Sequence, residues 1–118
     1  ITSTVIGQLQ EKYDALDAFS AAFPAGTLSG APKIRAMQII DELENSRRGL
    51  YGGAMCRIDA LGNLDSCIAI RMAVLQNGIA TIRTGAGIVY DSNAFTELQE
   101  TYQKARSILE AIAKAHGE

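Results

Sequence analysis

The order of apolar and polar positions divides the chain into strand-like and helix-like runs. Residues 1–9 alternate and carry the β-branched side chains Ile1, Thr2, Thr4, Val5 and Ile6, a pattern that predicts a strand. From Tyr13 to Phe23 the spacing of Leu16, Phe19 and Phe23 predicts a short amphipathic helix, which Pro24 and Gly26 break. The small-residue stretch from Thr27 to Pro32 reads as a loop. Pro32 suits a helix's first turn, where a missing N–H costs nothing. Lys33 to about Arg48 then reads as a helix with Ile34, Met37, Ile40 and Leu43 on one side, and Arg47 and Arg48 near its C-terminus complement its dipole.

Three strand-like runs follow, Leu50–Ala60, Leu64–Gln76 and Ile79–Tyr90, joined by Gly62-Asn63 and Asn77-Gly78. Asn-Gly between alternating runs is a strong hairpin signal, so the three are expected to form an antiparallel meander. Asn93 to Ala115 closes the chain as a helix whose stripe, running from Phe95 and Leu98 through Tyr102 to Leu109 and Ile112, is expected to face a core. The order β-α-α-β-β-β-α is an α+β fold with an antiparallel sheet and packed helices.

Composition narrows the function classes. At 118 residues the chain is one domain at most, and a compact chain of that length buries about two-thirds of its unfolded surface. A net charge of −2 supplies no basic field for nucleic acid, and no apolar run approaches the ~20 residues that span a membrane. Cys56 and Cys67 lack CxxC spacing and read as reduced, buried thiols of a cytoplasmic protein. With His116 as the single histidine, zinc chemistry and a Cys–His nucleophile pair are poorly supported.

Several stretches suit an anionic ligand, each with a plainer structural alternative. Gly26–Lys33 fails the phosphate-loop pattern, because Gly30 follows three residues rather than four and no Lys-Ser/Thr comes next. It is either a tight helix start or an anion contact through backbone N–H groups. Gly85-Ala86-Gly87 fails the dinucleotide fingerprint, with Tyr90 at the third glycine, and marks either a kink or a backbone cradle for a carboxylate. By alternation Arg71 shares a sheet face with Ala69 and Ala73, either solvated or receiving a carboxylate in bidentate fashion. Tyr51 offers a hydroxyl beside the open backbone of Gly52-Gly53. Glu97 and Glu100, one helical turn apart, are either a solvated face with a Glu100–Lys104 pair or two ligands of a hard cation.

These stretches together resemble a known family. Phe23–Met37 is similar to the signature of anthranilate synthase component I. Three further blocks agree in order and spacing: Arg47–Gly53, Leu64–Arg71, and Gly85–Val89 followed by Glu97, Glu100 and Lys104–Arg106. The resemblance covers nearly the whole chain and is specific for chorismate-utilising enzymes. The Thr27 and Ser29 form favours the anthranilate branch over aminodeoxychorismate synthases, which more often carry Ser and then Thr there.

The resemblance implies conversion of chorismate and ammonia to anthranilate and pyruvate with Mg²⁺, in the cytoplasm, with a glutamine amidotransferase subunit as partner. It implies Glu97 and Glu100 at the metal and Tyr51 and Arg71 on the enolpyruvyl carboxylate. Backbone N–H groups of Gly85 and Gly87 would bind a carboxylate, with Lys104 beside the metal-bound carboxylate and Thr27 near the reacting ring. It further implies that residues 1–118 are the C-terminal part of a larger chorismate-binding sandwich. The family's catalytic His and its other metal carboxylates lie upstream of Ile1, so the chain alone is expected to be inactive and to associate with that upstream half. A non-catalytic relative with the same binding residues is the remaining alternative.

Overall fold

The computed structural model describes residues 2–117 and is α+β, with four helices and two small antiparallel sheets among them. Helix α1, Ala15–Ala22, begins at Asp14, whose carboxylate accepts from the N–H groups of Leu16 and Asp17 while the Asp17 side chain accepts from the N–H of Asp14. This reciprocal cap satisfies donors that the first turn leaves unpaired. The stretch expected to be a loop contains one helical turn, α2 at Gly26–Ser29, where the N–H groups of Leu28 and Ser29 both donate to the carbonyl of Ala25. Helix α3, Lys33–Leu43, ends five residues earlier than its apolar spacing predicts. Arg48 therefore lies beyond the helix and is engaged elsewhere.

The strand expected over residues 1–9 does not form. Ile1 lies outside the described residues; residues 2–9 have no regular structure, with Val5 and Ile6 92% and 90% exposed. A strand holds its backbone hydrogen bonds only against a neighbour, and among the described residues no strand pairs with this segment. The expected meander is instead two separate hairpins. Strand β1, Ala54–Ile58, pairs with β2, Leu64–Ile68, and β3, Ala73–Gln76, pairs with β4, Ile79–Ile82.

The break between the hairpins falls at Arg71, which has φ of 53°, a left-handed conformation that ends extended backbone. Alternation thus fails there, and Arg71 does not share a sheet face with Ala69 and Ala73. The Asn77-Gly78 turn is present as expected, with both residues at positive φ. The Asp59–Asn63 turn is held by the Asp59 carboxylate, which accepts from the N–H groups of Leu61 and Asn63 and from the Asn63 amide.

Helix α4, Ala94–His116, matches its predicted bounds within a residue, with Asn93 accepting from the N–H groups of Phe95 and Thr96 as N-cap. Its apolar stripe meets no core: Phe95 is 70% and Tyr102 62% exposed. Among the described residues Ala69 is the one buried apolar residue and Ser29 the one buried polar residue. Cys56 and Cys67 are free but exposed, not buried. Total accessible surface is 10089 Å², against roughly 6,200 Å² for a compact monomer of 12.6 kDa. Less than half of the unfolded surface is therefore buried, well short of two-thirds. No helix among the described residues is long and apolar enough to cross a membrane.

Candidate functional site

A cleft of about 640 Å³ opens where α2, the two hairpin ends and α4 approach one another. Thr27, Tyr51, Arg71, Gly85, Gly87 and Lys104 all line it, although they come from five separated stretches. Glu97 and Glu100 do not. Each wall has a local cause. Tyr51 is set at the root of the first hairpin, because the pairing continues past β1 and β2. The N–H of Gly52 donates to the carbonyl of Ala69 at 3.0 Å, and the N–H of Ala69 to that of Gly53 at 2.9 Å. Arg71 follows directly, and its left-handed backbone turns the chain from one hairpin to the other across the cleft.

The glycine segment after β4 is held against α4 by two side-chain bonds. The Thr84 hydroxyl donates to the Thr101 carbonyl at 3.1 Å, and the Lys104 ammonium to the Gly85 carbonyl at 3.0 Å. Lys104 also pairs with Glu100. A Cβ at Gly85 would stand 2.8 Å from the Tyr51 phenol oxygen, so only glycine admits this approach; a Cβ at Gly87 would meet nothing within 4 Å. Of the two glycines, Gly85 alone thus lies against a neighbouring side chain.

Sequence reasoning missed a cluster of ion pairs in the same cleft. Glu44 accepts from Arg48 through both carboxylate oxygens, each 3.0 Å from Nε, and from Arg83 at 2.8 Å. Arg48 donates onward to the Leu28 carbonyl at 2.8 Å and lies over the Tyr51 ring, 5.6 Å from its centroid. Arg83 donates onward to the Arg47 carbonyl at 2.7 Å. The Arg48 hydrogen bond, with the charge of both guanidiniums, holds the Glu44 carboxyl below its ordinary range against the opposing effect of burial. Reciprocally, Glu44 raises Arg48. The i,i+4 spacing of Glu44 and Arg48 was a legible signal for half of this cluster; Arg83, 39 residues from Glu44, left none.

The cleft therefore holds four cationic side chains with different commitments. Arg48 and Arg83 are spent on Glu44, and Lys104 is shared between Glu100 and Gly85. The Arg71 guanidinium has no hydrogen bond or ion pair among the described residues. Arg71 is thus the cleft's uncommitted cation among the described residues, in a lining it shares with Tyr51, Gly85 and Gly87. The Gly26–Lys33 stretch contributes no phosphate loop. The N–H groups of Leu28, Ser29 and Gly30 bond within the α2 turn, and the Lys33 ammonium donates to the Pro24 carbonyl at 2.8 Å.

Glu97 and Glu100 lie one turn apart at the start of α4, Glu97 half-buried and Glu100 exposed. No third His, Cys, Asp or Glu joins them among the described residues. Two oxygen donors on one turn suit a hard cation that keeps several waters and takes further oxygens from its substrate.

Residues 1–110 match the family described as chorismate binding enzyme. The chain is 55% identical over 115 residues to anthranilate synthase component 1 of Mycobacterium tuberculosis (strain ATCC 25618 / H37Rv), covering 98% of this chain and 22% of that protein. It is 54% identical over 116 residues to the protein of the same name from Escherichia coli (strain K12), with 98% and 22% covered. For that of Aquifex aeolicus (strain VF5) the figures are 54% over 112 residues, 95% and 23%. The chain thus spans between a fifth and a quarter of the length of these curated relatives.

Proposed function

The chain belongs to the chorismate-binding enzyme family, and from that premise we propose that it is the C-terminal portion of an anthranilate synthase component I. The whole enzyme is an aminating lyase of tryptophan biosynthesis in the cytoplasm, turning chorismate and ammonia into anthranilate, pyruvate and water. Ammonia adds to the ring at C2 as the C4 hydroxyl leaves, and pyruvate is then eliminated. The observation that carries this reading is the convergence of Thr27, Tyr51, Arg71, Gly85, Gly87 and Lys104 on one cleft that presents an uncommitted guanidinium.

Chorismate carries two carboxylates, and the cleft has two kinds of carboxylate contact. Arg71 and the Tyr51 hydroxyl take the enolpyruvyl carboxylate. The N–H groups of Gly85 and Gly87 take a carboxylate from the backbone side, where Gly85 leaves no room for a side chain. Glu97 and Glu100 would hold Mg²⁺, which would supply charge neutralisation for the ring carboxylate, and Lys104 would stand near that carboxylate. Thr27 hydrogen-bonds near the reacting ring.

The leaving hydroxyl needs a general acid. Among the described residues the one histidine, His116, ends α4 and is not part of the cleft. The acid and the remaining metal ligands belong to the upstream half of the enzyme, so this chain alone makes no anthranilate. The large exposed surface and the bare apolar stripe of α4 support a chain that packs against that half. A glutamine amidotransferase subunit delivers the ammonia.

Recombination tests the reading. The chain is mixed with a separately made upstream half, chorismate, Mg²⁺ and an ammonium salt, and anthranilate is followed by fluorescence and chromatography. Product formed with both halves and with neither alone is the expected result. Chorismate consumed to an amino-chorismate that retains its pyruvyl group moves the chain to the aminodeoxychorismate branch. No consumption by two folded, associated halves makes it a non-catalytic relative.

A further inference from the structure

We propose that Glu44 is a positioning residue that pins together the three segments forming the carboxylate end of the cleft. The proposal rests on the reading that this cleft takes chorismate, and its test separates the two. A carboxylate is out of place where Glu44 stands. It is the C-cap of α3, where exposed carbonyls make the local potential negative and favour a cation. Two guanidiniums offset that cost, and each reaches past Glu44 to a different wall.

Through Arg48 the pin reaches the Leu28 carbonyl, next to Thr27, and covers the ring of Tyr51. Through Arg83 it reaches the carbonyls of Ser46 and Arg47 and fixes the strand end that runs into Thr84 and Gly85. The Glu44, Arg48 and Arg83 side chains are only 26–30% exposed, so the fork is largely withdrawn from solvent. The same carboxylate occupies the two-arginine fork that a ligand carboxylate would otherwise take. Glu44 thereby both sets the wall geometry and directs an incoming anion to Arg71.

The two arms make separable predictions. In ¹H–¹⁵N spectra of the full chain, Arg48→Lys keeps a charge beside Glu44 but loses the fork; it shifts the amides of Thr27, Leu28 and Tyr51 and leaves Thr84 and its α4 partner Thr101 in place. Arg83→Lys shifts Thr84 and Thr101 and leaves Thr27 in place. Glu44→Gln shifts both sets, while the Asp59–Asn63 turn stays unmoved as a control. In the recombined enzyme Glu44→Gln, which weakens the charged fork, raises KM for chorismate about 10-fold or more with a smaller change in kcat, and Glu44→Asp recovers part of the loss. A brace that is merely structural would lower the melting temperature and leave KM unchanged. Unmoved amides in both arms, or a wild-type KM in Glu44→Gln, overturn the proposal. Should the wild-type halves produce no anthranilate, the functional reading fails, and the amide shifts alone decide whether Glu44 is the pin.

Discussion

At the residue scale, Gly85 and Arg71 each set backbone conformation against side-chain bulk in the cleft wall. Gly85→Ala brings a methyl within 2.8 Å of the Tyr51 oxygen, an overpacking expected to cost about 1–3 kcal/mol. Adding Tyr51→Phe removes that oxygen, and the next ring atom, 3.7 Å away, is in ordinary contact. Urea denaturation should therefore show the double variant recovering most of the loss, whereas Gly87→Ala, with open space around it, changes little. Arg71 carries the opposite compromise. Its left-handed backbone costs a side-chain-bearing residue about 1–2 kcal/mol, and glycine there gives back roughly 0.5–1 kcal/mol in entropy. Arg71→Gly is expected to match or exceed the parent's stability in the same titration while abolishing chorismate binding by calorimetry with the recombined enzyme.

These residues also mark what was legible in the sequence. Type and spacing offered Tyr51, Arg71 and Gly85 as candidate anion contacts, each beside a plainer alternative, and said nothing of their mutual placement in one cleft. Alternation put Arg71 on a sheet face with Ala69 and Ala73, because a period-two pattern carries no trace of a single residue adopting positive φ. The Glu44 fork escaped notice because Arg83 lies far away in the chain, and only folding brings it within reach.

At the element scale, local chemistry predicted well and long-range pairing did not. The α4 start at Asn93 and the Asn77-Gly78 turn were both legible because their determinants lie within a few residues of each other. Asn93→Ala removes the acceptor of two N–H groups, and should destabilise α4 by about 1 kcal/mol, read as an earlier loss of helical circular dichroism on heating. The strand over residues 1–9 and the three-stranded meander were not legible, since each needs a partner strand that the local pattern cannot supply.

The tie between α3 and its neighbours has a pH dependence of definite sign. Arg48 and Arg83 lower the Glu44 carboxyl relative to the unfolded chain, where its ordinary value is 4.5. The folded state therefore binds its proton less readily, and the tie is fully present above about pH 5.5. It weakens as pH falls through 4.5 and is lost below the lowered value. Acid titration of Glu44→Gln should lack the part of the stability loss that the parent shows in that window.

At the scale of the whole molecule, surface is the dominant fact. An accessible area of 10089 Å² and a radius of gyration of 17.3 Å compare with roughly 6,200 Å² and about 13.5 Å for a compact chain of this size. The apolar stripe of α4 was expected to face a core, yet among the described residues no core stands opposite it. The chain alone should bind a hydrophobic dye such as ANS strongly, and addition of the upstream half should suppress that fluorescence. Undiminished dye binding in the presence of that half would refute packing on this face.

The paired hairpins carry one more consequence. Among the described residues each is a ribbon with two unsatisfied margins, so β1, β2, β3 and β4 all present a row of backbone donors and acceptors with no further strand beside them. Such margins recruit any extended segment that matches their spacing, including the same segment of another molecule. Solubility of the chain is then a race between recruitment of its proper neighbour and growth of fibrils, and it should be won or lost on concentration, with thioflavin signal rising steeply as the chain is concentrated.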